Sequence, residues 1–300
     1  MKGVILTNPY DTNTPQQHKV RRMQQELTAL GVDVFVVPND RFVAGVVNGN
    51  ISCQLSADFV LFFDKDKYTA EMLQQRGIRL FNSAEATAIC DDKMLTHIAL
   101  AGQGIPMPDT LPGALCYNPR GELSDEYLQL ACDRVGLPMV VKQCYGSYGE
   151  QVYLVETKQQ LKNKLAEIKT KAYLLQHFEQ QSCGRDMRVI VIGGKAVCAM
   201  LRVNTGDFRS NVAHGGKATV TEIPQTVAEM CEKAARIIGL DYCGIDVLLA
   251  DIPKICEVNS NAMFEAMESA TGVNVAKLYA EHIVTTVKQG DNHGHKKFLG

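Results

Sequence analysis

The strongest constraint on the fold is a pair of apolar segments near the C-terminal end, GIDVLL and KICEVN, joined by ADIP. Two such segments around a short turn predict a β-hairpin. A turn centred in ADIP places Asp246 opposite Glu257, with their β-carbons about 4.5–5.5 Å apart. Because side chains alternate along a strand, Asn259 shares the face of Glu257.

Two carboxylates that face each other repel, so the hairpin needs a partner for them. Asp246, Glu257 and Asn259 together offer oxygen ligands and two negative charges, the set that a hard cation such as Mg²⁺ or Mn²⁺ binds. Magnesium usually leaves its other positions to water and phosphates. The alternative is a sheet face on which both acids meet only water.

Length and composition limit the classes of function. A chain of 300 residues suggests about two domains. The formal net charge of −2 gives no basic surface for nucleic acid, and no apolar run approaches the roughly 18 residues of a membrane span. The ten cysteines form no CxxC pair. We therefore expect a cytoplasmic protein without nucleic-acid or membrane partners.

Strands and helices alternate over about the first 90 residues, which predicts a parallel α/β sheet. No GxGxxG follows the first strand, so a Rossmann dehydrogenase is not indicated. Beyond this region the pattern predicts helices and two hairpins, DMRVIVIGGKAVCAMLRV and GIDVLLADIPKICEVN. We expect three units, residues 1–88, 89–174 and 175–300.

Two loops are candidates for binding phosphate. VVKQCYGSYGE joins two strands through Gly146, Ser147 and Gly149, and glycine lets backbone N–H groups approach an anion. Lys142 ends the first of these strands and can reach a phosphate. Arg209 lies in DFRSN, where arginine suits bidentate phosphate contact. The alternatives are a plain hairpin loop beside a solvated lysine, and a surface arginine.

The order of motifs resembles the ATP-grasp family, and within it the RimK-type α-L-glutamate ligases. The resemblance covers residues 81–282 and rests on DDKMLTH, VVKQCYGSYG, LLQHF, GRDMRVIVIGGKAV, GDFRSNVAHGG, GIDVLL and CEVNSN. It implies an α/β fold with α+β lobes: a pre-ATP-grasp domain (1–88), a small lobe with a glycine-containing flap (89–174), and a large lobe with the metal site (175–300).

The resemblance also implies roles for residues. Asp246, Glu257 and Asn259 match magnesium ligands. The matching nucleotide-binding positions are Lys93, Lys142, Gly146, Ser147, Gly149, Gln176, His177, Phe178, Asp186, Arg209, Ser210 and Asn211. The positions expected to act on the transferred phosphoryl group are Lys142, Arg202 and Arg209.

The function that this resemblance implies is ATP-dependent joining of a carboxylate to an amine through an acyl phosphate, with an amino acid such as glutamate added. The expected partners are small-molecule substrates or a peptide or protein terminus, and the expected assembly is a homo-oligomer. An ATP-binding sensor without ligase activity and a dipeptide ligase of another ATP-grasp branch are the alternatives.

Two positions depart from the family pattern. His177 stands where the adenine-binding segment usually carries an acid. SNAM, residues 260–263, replaces the A-S-P-G that usually follows EVN in glutamate ligases. This second stretch borders the acceptor region, so it bears on which substrate is accepted.

Overall fold

The computed structural model describes residues 1–41, 44–211 and 215–290, so His214 of the HGG motif lies outside the described residues. The described chain contains two four-stranded sheets, one five-stranded sheet and a two-stranded hairpin, which confirms the mixed α/β class. No described helix combines the length and the hydropathy that a membrane crossing requires.

The N-terminal unit is built on a parallel sheet in the order β2-β1-β5-β6, as the alternation predicts. The hairpin β3–β4 was not predicted. The elements are β1 (Lys2–Thr7), α1 (Thr14–Ala29), β2 (Asp33–Pro38), β3 (Ala44–Val47), β4 (Asn50–Cys53), β5 (Phe59–Phe63), α2 (Lys67–Gln75) and β6 (Arg79–Phe81).

The second unit is an antiparallel sheet in the order β7-β10-β8-β9, covered by helices. Its elements are α3 (Ala84–Asp91), α4 (Lys93–Leu100), β7 (Thr110–Pro112), α5 (Asp125–Val135), β8 (Met139–Gln143), β9 (Val152–Val155), α6 (Lys158–Ile168) and β10 (Tyr173–His177). Strand β10 crosses the predicted domain boundary between residues 174 and 175, and it pairs with β7 and β8 of this sheet. The domain limits themselves stay predictions.

The third unit is an antiparallel sheet in the order β13-β12-β11-β14-β15. It confirms both predicted hairpins, β11–β12 and β14–β15. Its elements are β11 (Arg185–Ile192), β12 (Lys195–Val203), β13 (Lys217–Thr221), α7 (Gln225–Ile238), β14 (Tyr242–Leu248), β15 (Lys254–Asn259), α8 (Glu265–Thr271) and α9 (Val275–Lys288).

One apolar core joins the N-terminal sheet to the five-stranded sheet. Phe59 and Phe81 from the first belong to the same buried cluster as Ile190 and Tyr242 from the second. Tyr242 also stacks on Tyr279 of α9, with ring centroids 4.7 Å apart. The two units are therefore held together by continuous burial of apolar surface.

Asn82, directly after β6, ties this joint together through its amide. Its Nδ2 donates to the backbone oxygens of Tyr242 and Ser260, both at 2.8 Å. Its Oδ1 accepts from the backbone nitrogens of Asp241, at 2.7 Å, and Tyr242, at 3.1 Å. The side chain is 3% exposed, so each bond is shielded from water.

Replacing Asn82 with alanine should leave buried backbone groups of Asp241, Tyr242 and Ser260 without these hydrogen-bond partners. We expect Asn82→Ala to lower the free energy of unfolding by roughly 2–4 kcal/mol, because buried unsatisfied groups cost about 1–3 kcal/mol each and partly relax. Urea denaturation measures the change. Asn163→Ala, on the exposed surface of α6, is the matched control and should change little; equal effects would contradict the assigned role.

Candidate active site

A cleft of about 870 Å³ lies between the second and third sheets. It brings together every predicted site residue except Asn259: Lys93, Lys142, Gly146, Ser147, Gly149, Gln176, His177, Phe178, Asp186, Arg202, Arg209, Ser210, Asn211, Asp246 and Glu257. Asn259 lines an adjoining second cavity of about 1480 Å³, whose other wall comes from the N-terminal unit. Ser147, Gly149, Asn211 and Glu257 line both spaces.

Two lysines bring positive charge into the cleft. Lys142, at the end of β8, is 7% exposed, and its Nζ donates to Cys256 Sγ at 3.2 Å. Within the described ranges no carboxylate lies within 4.0 Å of it. Lys93 Nζ donates to Gly146 O at 2.9 Å and lies 3.6 Å from Glu257 Oε1. A buried ammonium without a counter-ion is unfavourable, so the cleft favours an anion.

Asp246 is the centre of a buried ion network. Both arms of Arg188 reach its carboxylate at 2.6 Å, and Arg202 Nη2 lies 2.9 Å from Asp246 Oδ2. Arg202, 2% exposed, also donates to Asp186 Oδ1 at 2.7 Å. Burial alone would raise the pKa of Asp246, but the two guanidinium groups outweigh it and lower this pKa to about 2. Asp246 is therefore a carboxylate throughout the neutral range.

Arg188 was missed by the sequence reasoning. It lies directly opposite Asp246 in the β11–β14 ladder, and it lines the second cavity. Pairing DMRVIVI with GIDVLL would have revealed it. The two segments are not consecutive in the chain, so no turn indicated that pairing.

The predicted register of the acidic pair is confirmed, since Asp246 pairs with Glu257. The ladder then shifts by one residue, so that Val247 pairs with Ile255 and Cys256 is the extra residue of a bulge. Cys256 and Glu257 consequently both line the cleft.

The three predicted magnesium ligands differ in how many of their polar atoms are still available to an ion. The carboxylate of Asp246 already accepts three bonds from arginine, out of about four lone-pair positions. Among the described residues, the Glu257 carboxylate has only the long contact to Lys93, at 3.6 Å, and Asn259 Nδ2 is buried without a partner. The described chain contains no group of three His, Cys, Asp or Glu side chains suited to a metal. The oxygen set suits Mg²⁺, with Glu257 the most available ligand.

In the predicted adenine-binding segment, the side chains of Gln176 and His177 form hydrogen bonds with other residues of the protein. Gln176 Nε2 lies 3.0 Å from His97 Nε2 and donates to Thr110 Oγ1 at 2.9 Å. Burial, with a smaller effect of Lys142, lowers the pKa of His97 to about 4, so this imidazole is neutral and can accept from Gln176. His177 Nδ1 lies 2.9 Å from Val135 O. Phe178 and the backbone of this strand complete the wall.

The glycine-containing flap lines the cleft and contacts two other parts of the chain. Arg209 Nη1 donates to Gly149 O at 2.7 Å, and Lys65 Nζ donates to Ser147 Oγ at 3.0 Å. Gly149 has a φ of 78°, a region that favours glycine. Arg209 is also bonded to Asp207. The flap is thus held by the N-terminal unit and by the DFRSN loop at once.

The sequence is similar to that of known proteins over most of its length. Residues 90–283 match the model of the RimK-like ATP-grasp domain. Beta-citrylglutamate synthase B of Homo sapiens is 30% identical over 295 residues, covering 92% of this chain and 75% of the relative. A protein named "Probable alpha-L-glutamate ligase" of Psychromonas ingrahamii is 36% identical over 231 residues, covering 73% of this chain and 72% of the relative.

Solved structures share the fold at low identity. The D-alanine–D-alanine ligase of Bacillus anthracis complexed with ATP has a TM-score of 0.71 at 18% identity, covering 96% of this chain and 97% of its own. The ATP-grasp ligase PsnB complexed with minimal precursor, Mg and ADP has a TM-score of 0.68 at 19% identity, covering 95% and 97%. The fold and the sequence matches agree: this chain belongs to the RimK-like ATP-grasp family of ATP-dependent carboxylate–amine ligases.

Proposed function

We propose that the chain uses ATP to join a carboxylate to the amine of an amino acid such as glutamate, through an acyl phosphate formed in the cleft. The observation that carries the proposal is the buried Lys142 ammonium, without a carboxylate partner among the described residues, in the same cleft as the opposed pair Asp246 and Glu257. A metal–triphosphate complex would supply both missing charges: its phosphates would lie near the lysine ammonium, and its metal ion near the carboxylates.

In the first step, a carboxylate oxygen of the substrate attacks the terminal phosphorus of ATP. The bond from that phosphorus to the bridging oxygen breaks, which gives the acyl phosphate and ADP. Lys93 and Lys142 neutralise phosphate oxygens, and Arg202 and Arg209 offset the charge that develops on the transferred group. Positioning and charge stabilisation account for most of such catalysis.

Asp246, Glu257 and Asn259 would hold one or two Mg²⁺ or Mn²⁺ ions, which when bound neutralise phosphate charge. Asp246 can contribute without a change of protonation, because its pKa of about 2 keeps it ionised. Ser210 and Asn211, next to Arg209 in the cleft, would contact the terminal phosphate.

In the second step, the amine nitrogen attacks the acyl carbon and the bond from this carbon to the phosphate oxygen breaks. The nitrogen loses a proton and inorganic phosphate leaves. Water would hydrolyse the acyl phosphate, so it must be kept out. The flap, held by Lys65 and Arg209, is suited to that task.

Glutamate is the amine that the named relatives favour, since citrylglutamate and α-L-glutamate occur in their names. A peptide remains an outcome of the test, because PsnB was solved with a precursor. The D-alanine–D-alanine ligase shares the fold alone, at 18% identity, so it gives weaker support for a dipeptide ligase.

The proposal is tested by incubating the protein with Mg·ATP, L-glutamate and a panel of carboxylates and peptides. Phosphate release with a condensed product in the mass spectrum would support the proposal and identify the carboxylate. Products with other amines but none with glutamate would refute glutamate. Binding of Mg·ATP without turnover on any pair would favour the sensor.

Cytoplasmic location and homo-oligomeric assembly are further parts of the proposal. All ten cysteines are free thiols, which supports a reducing compartment. A symmetric dimer is the commonest assembly of soluble oligomers. Light scattering of the purified protein tests the assembly, and a monomer at every concentration would refute it.

Glu257→Ala should abolish turnover with Mg·ATP while the fold survives, because it removes the most available metal ligand. We expect a loss of at least about 100-fold, the scale of removing a major electrostatic contribution to phosphoryl transfer. Steady-state phosphate release measures it. Glu156→Ala, at an exposed position, is the control; near-wild-type turnover in Glu257→Ala would refute the metal assignment.

Lys142→Met should weaken nucleotide binding without destabilising the free protein, since it removes a buried cation that has no carboxylate partner among the described residues. When Mg·ATP is present at a hundred times its Kd, the free energy of unfolding of the wild-type protein rises by about 2.7 kcal/mol. We expect at least about tenfold weaker binding in the variant. Thermal denaturation with and without Mg·ATP measures this, with exposed Lys171→Met as control. Equal stabilisation of both variants would contradict the role.

Buried His97 should make the protein less stable as the pH falls. Its pKa is about 4 when folded against 6.5 for the free side chain, so between these values the unfolded state binds more protons. Lowering the pH from 7 to 5 should cost roughly 2 kcal/mol of unfolding free energy through this group. Urea denaturation at both pH values should show a smaller loss in His97→Gln; identical losses would contradict the assignment.

A further inference from the structure

Residues 260–263, which follow β15, are held by side chains from distant parts of the chain. Three successive carbonyl oxygens each accept a hydrogen bond: Ser260 O from Asn82 at 2.8 Å, Asn261 O from Lys19 at 3.1 Å, and Ala262 O from Tyr242 at 2.9 Å. The segment belongs to no helix or strand. Its course is therefore fixed by these donors.

Lys19 of α1 makes the least expected of these contacts. It is 1% exposed, its Nζ lies 4.0 Å from the centre of the Phe63 ring, and it donates to both Asn261 O and Asn261 Oδ1. Burial lowers its pKa to about 7, although Asp11 acts in the opposite direction. Below that pH the group is an ammonium, and its two polar contacts within the described part of the chain are both to oxygens of Asn261.

This contact determines which way the amide of Asn261 is turned. An ammonium can only donate, so the atom facing Lys19 must be the amide oxygen. The amide NH₂ then faces away from Lys19. Asn261 lines the second cavity, and among the described residues its Nδ2 has no hydrogen-bond partner. Two N–H donors are thus available to a molecule in that cavity.

The second cavity offers partners for both charged groups of an amino acid. Arg188, which also pairs with Asp246, and the Asn261 amide lie in its wall, and the same wall carries the carboxylates of Asp11, Asp64 and Asp91, the last paired with Lys65 at 2.7 Å. Carboxylates suit an ammonium or amine, whereas an amide NH₂ suits a carboxylate oxygen. SNAM in place of A-S-P-G puts an amide where the family pattern has a hydroxyl.

We propose that Asn261 is a specificity-determining residue that donates from Nδ2 to a carboxylate of the amino-acid substrate in the second cavity, and that Lys19 is the positioning residue that orients it. The inference rests on the proposed function, because it takes the second cavity to hold the amine substrate. It goes beyond that function by assigning the recognition of this substrate to two residues outside the nucleotide cleft.

The test compares Asn261→Asp with the wild-type protein at pH 6.5, where Lys19 is mostly charged. Aspartate keeps the contact to Lys19 but replaces the NH₂ donors with an acceptor. Calorimetry on enzyme saturated with Mg·AMP-PNP should show L-glutamate bound at least about tenfold more weakly by Asn261→Asp. The affinity for Mg·AMP-PNP should not change. Equal glutamate affinity in both proteins would overturn the proposal.

Lys19 is tested by hydrogen exchange, which needs no substrate. Lys19→Met should speed amide exchange in residues 260–263 and weaken L-glutamate binding, whereas Asn261→Asp should leave that exchange unchanged. Lys19→Arg keeps a donor-only cation and should retain affinity if Lys19→Met fails to fold. Unchanged exchange in folded Lys19→Met would overturn the positioning role.

The two proposals fail in different ways. Wild-type protein that binds Mg·AMP-PNP but not L-glutamate would refute glutamate as the amine, and with it the recognition of glutamate by Asn261. Wild-type protein that binds L-glutamate, with Asn261→Asp binding equally well, would refute only the role of Asn261. Failure to bind Mg·AMP-PNP would count against the nucleotide cleft itself.

Discussion

The carboxylate of Asp246 lies between two guanidinium groups and opposite a second carboxylate, and the cleft is organised around it. Arg188, Arg202, Asp186 and Asp246 form a group with two positive and two negative charges. The group is neutral as a whole. The net charges that a ligand meets in the cleft are therefore chiefly Lys142 and Glu257, although Arg202 and Asp246 also line it.

Burying this network is costly in desolvation, and ion pairs of this kind add little to stability over an apolar core. Its value lies in geometry. Asp246 joins side chains from β11, β12 and β14, so the strands that carry the site hold a fixed relation to one another. Fixed dipoles and charges need no rearrangement when a transition state forms, which is the basis of electrostatic preorganisation.

The parts of the site that follow from local pattern were predictable from the sequence. The turn length alone gave the pairing of Asp246 with Glu257. Glycine placement marked the loop at 146–149 as a candidate phosphate-binding loop, and only the family resemblance made it a flap. Arg188 was not predictable in this way, because β11 and β14 pair although three elements, β12, β13 and α7, lie between them in the chain. The bulge at Cys256 was not predicted for another reason. In a segment as short as KICEVN, one extra residue does not visibly change the alternation of apolar and polar side chains.

The fold class could be predicted from the alternation of strands and helices, whereas short or exposed strands were not predicted. Strand β13 has mostly exposed and half-buried residues, so it lacks the apolar pattern of a buried strand. The hairpin β3–β4 did have a sequence signal that was overlooked: Asn48-Gly49 follows Val46 and Val47, and both turn residues have positive φ, 49° and 77°. The roles of the site residues rest on the family resemblance and on their convergence in one cleft.

The contact between Lys19 and Asn261 joins residues 242 positions apart, and the matched family region begins only at residue 90. During synthesis on the ribosome, the segment at 260–263 emerges long after α1 and Asn82 have been made. The nucleotide cleft draws on residues from 93 onward, but the second cavity needs both ends of the chain. The N-terminal unit therefore does more than cover an apolar face of the five-stranded sheet, because the second cavity forms only when this unit packs against the matched region.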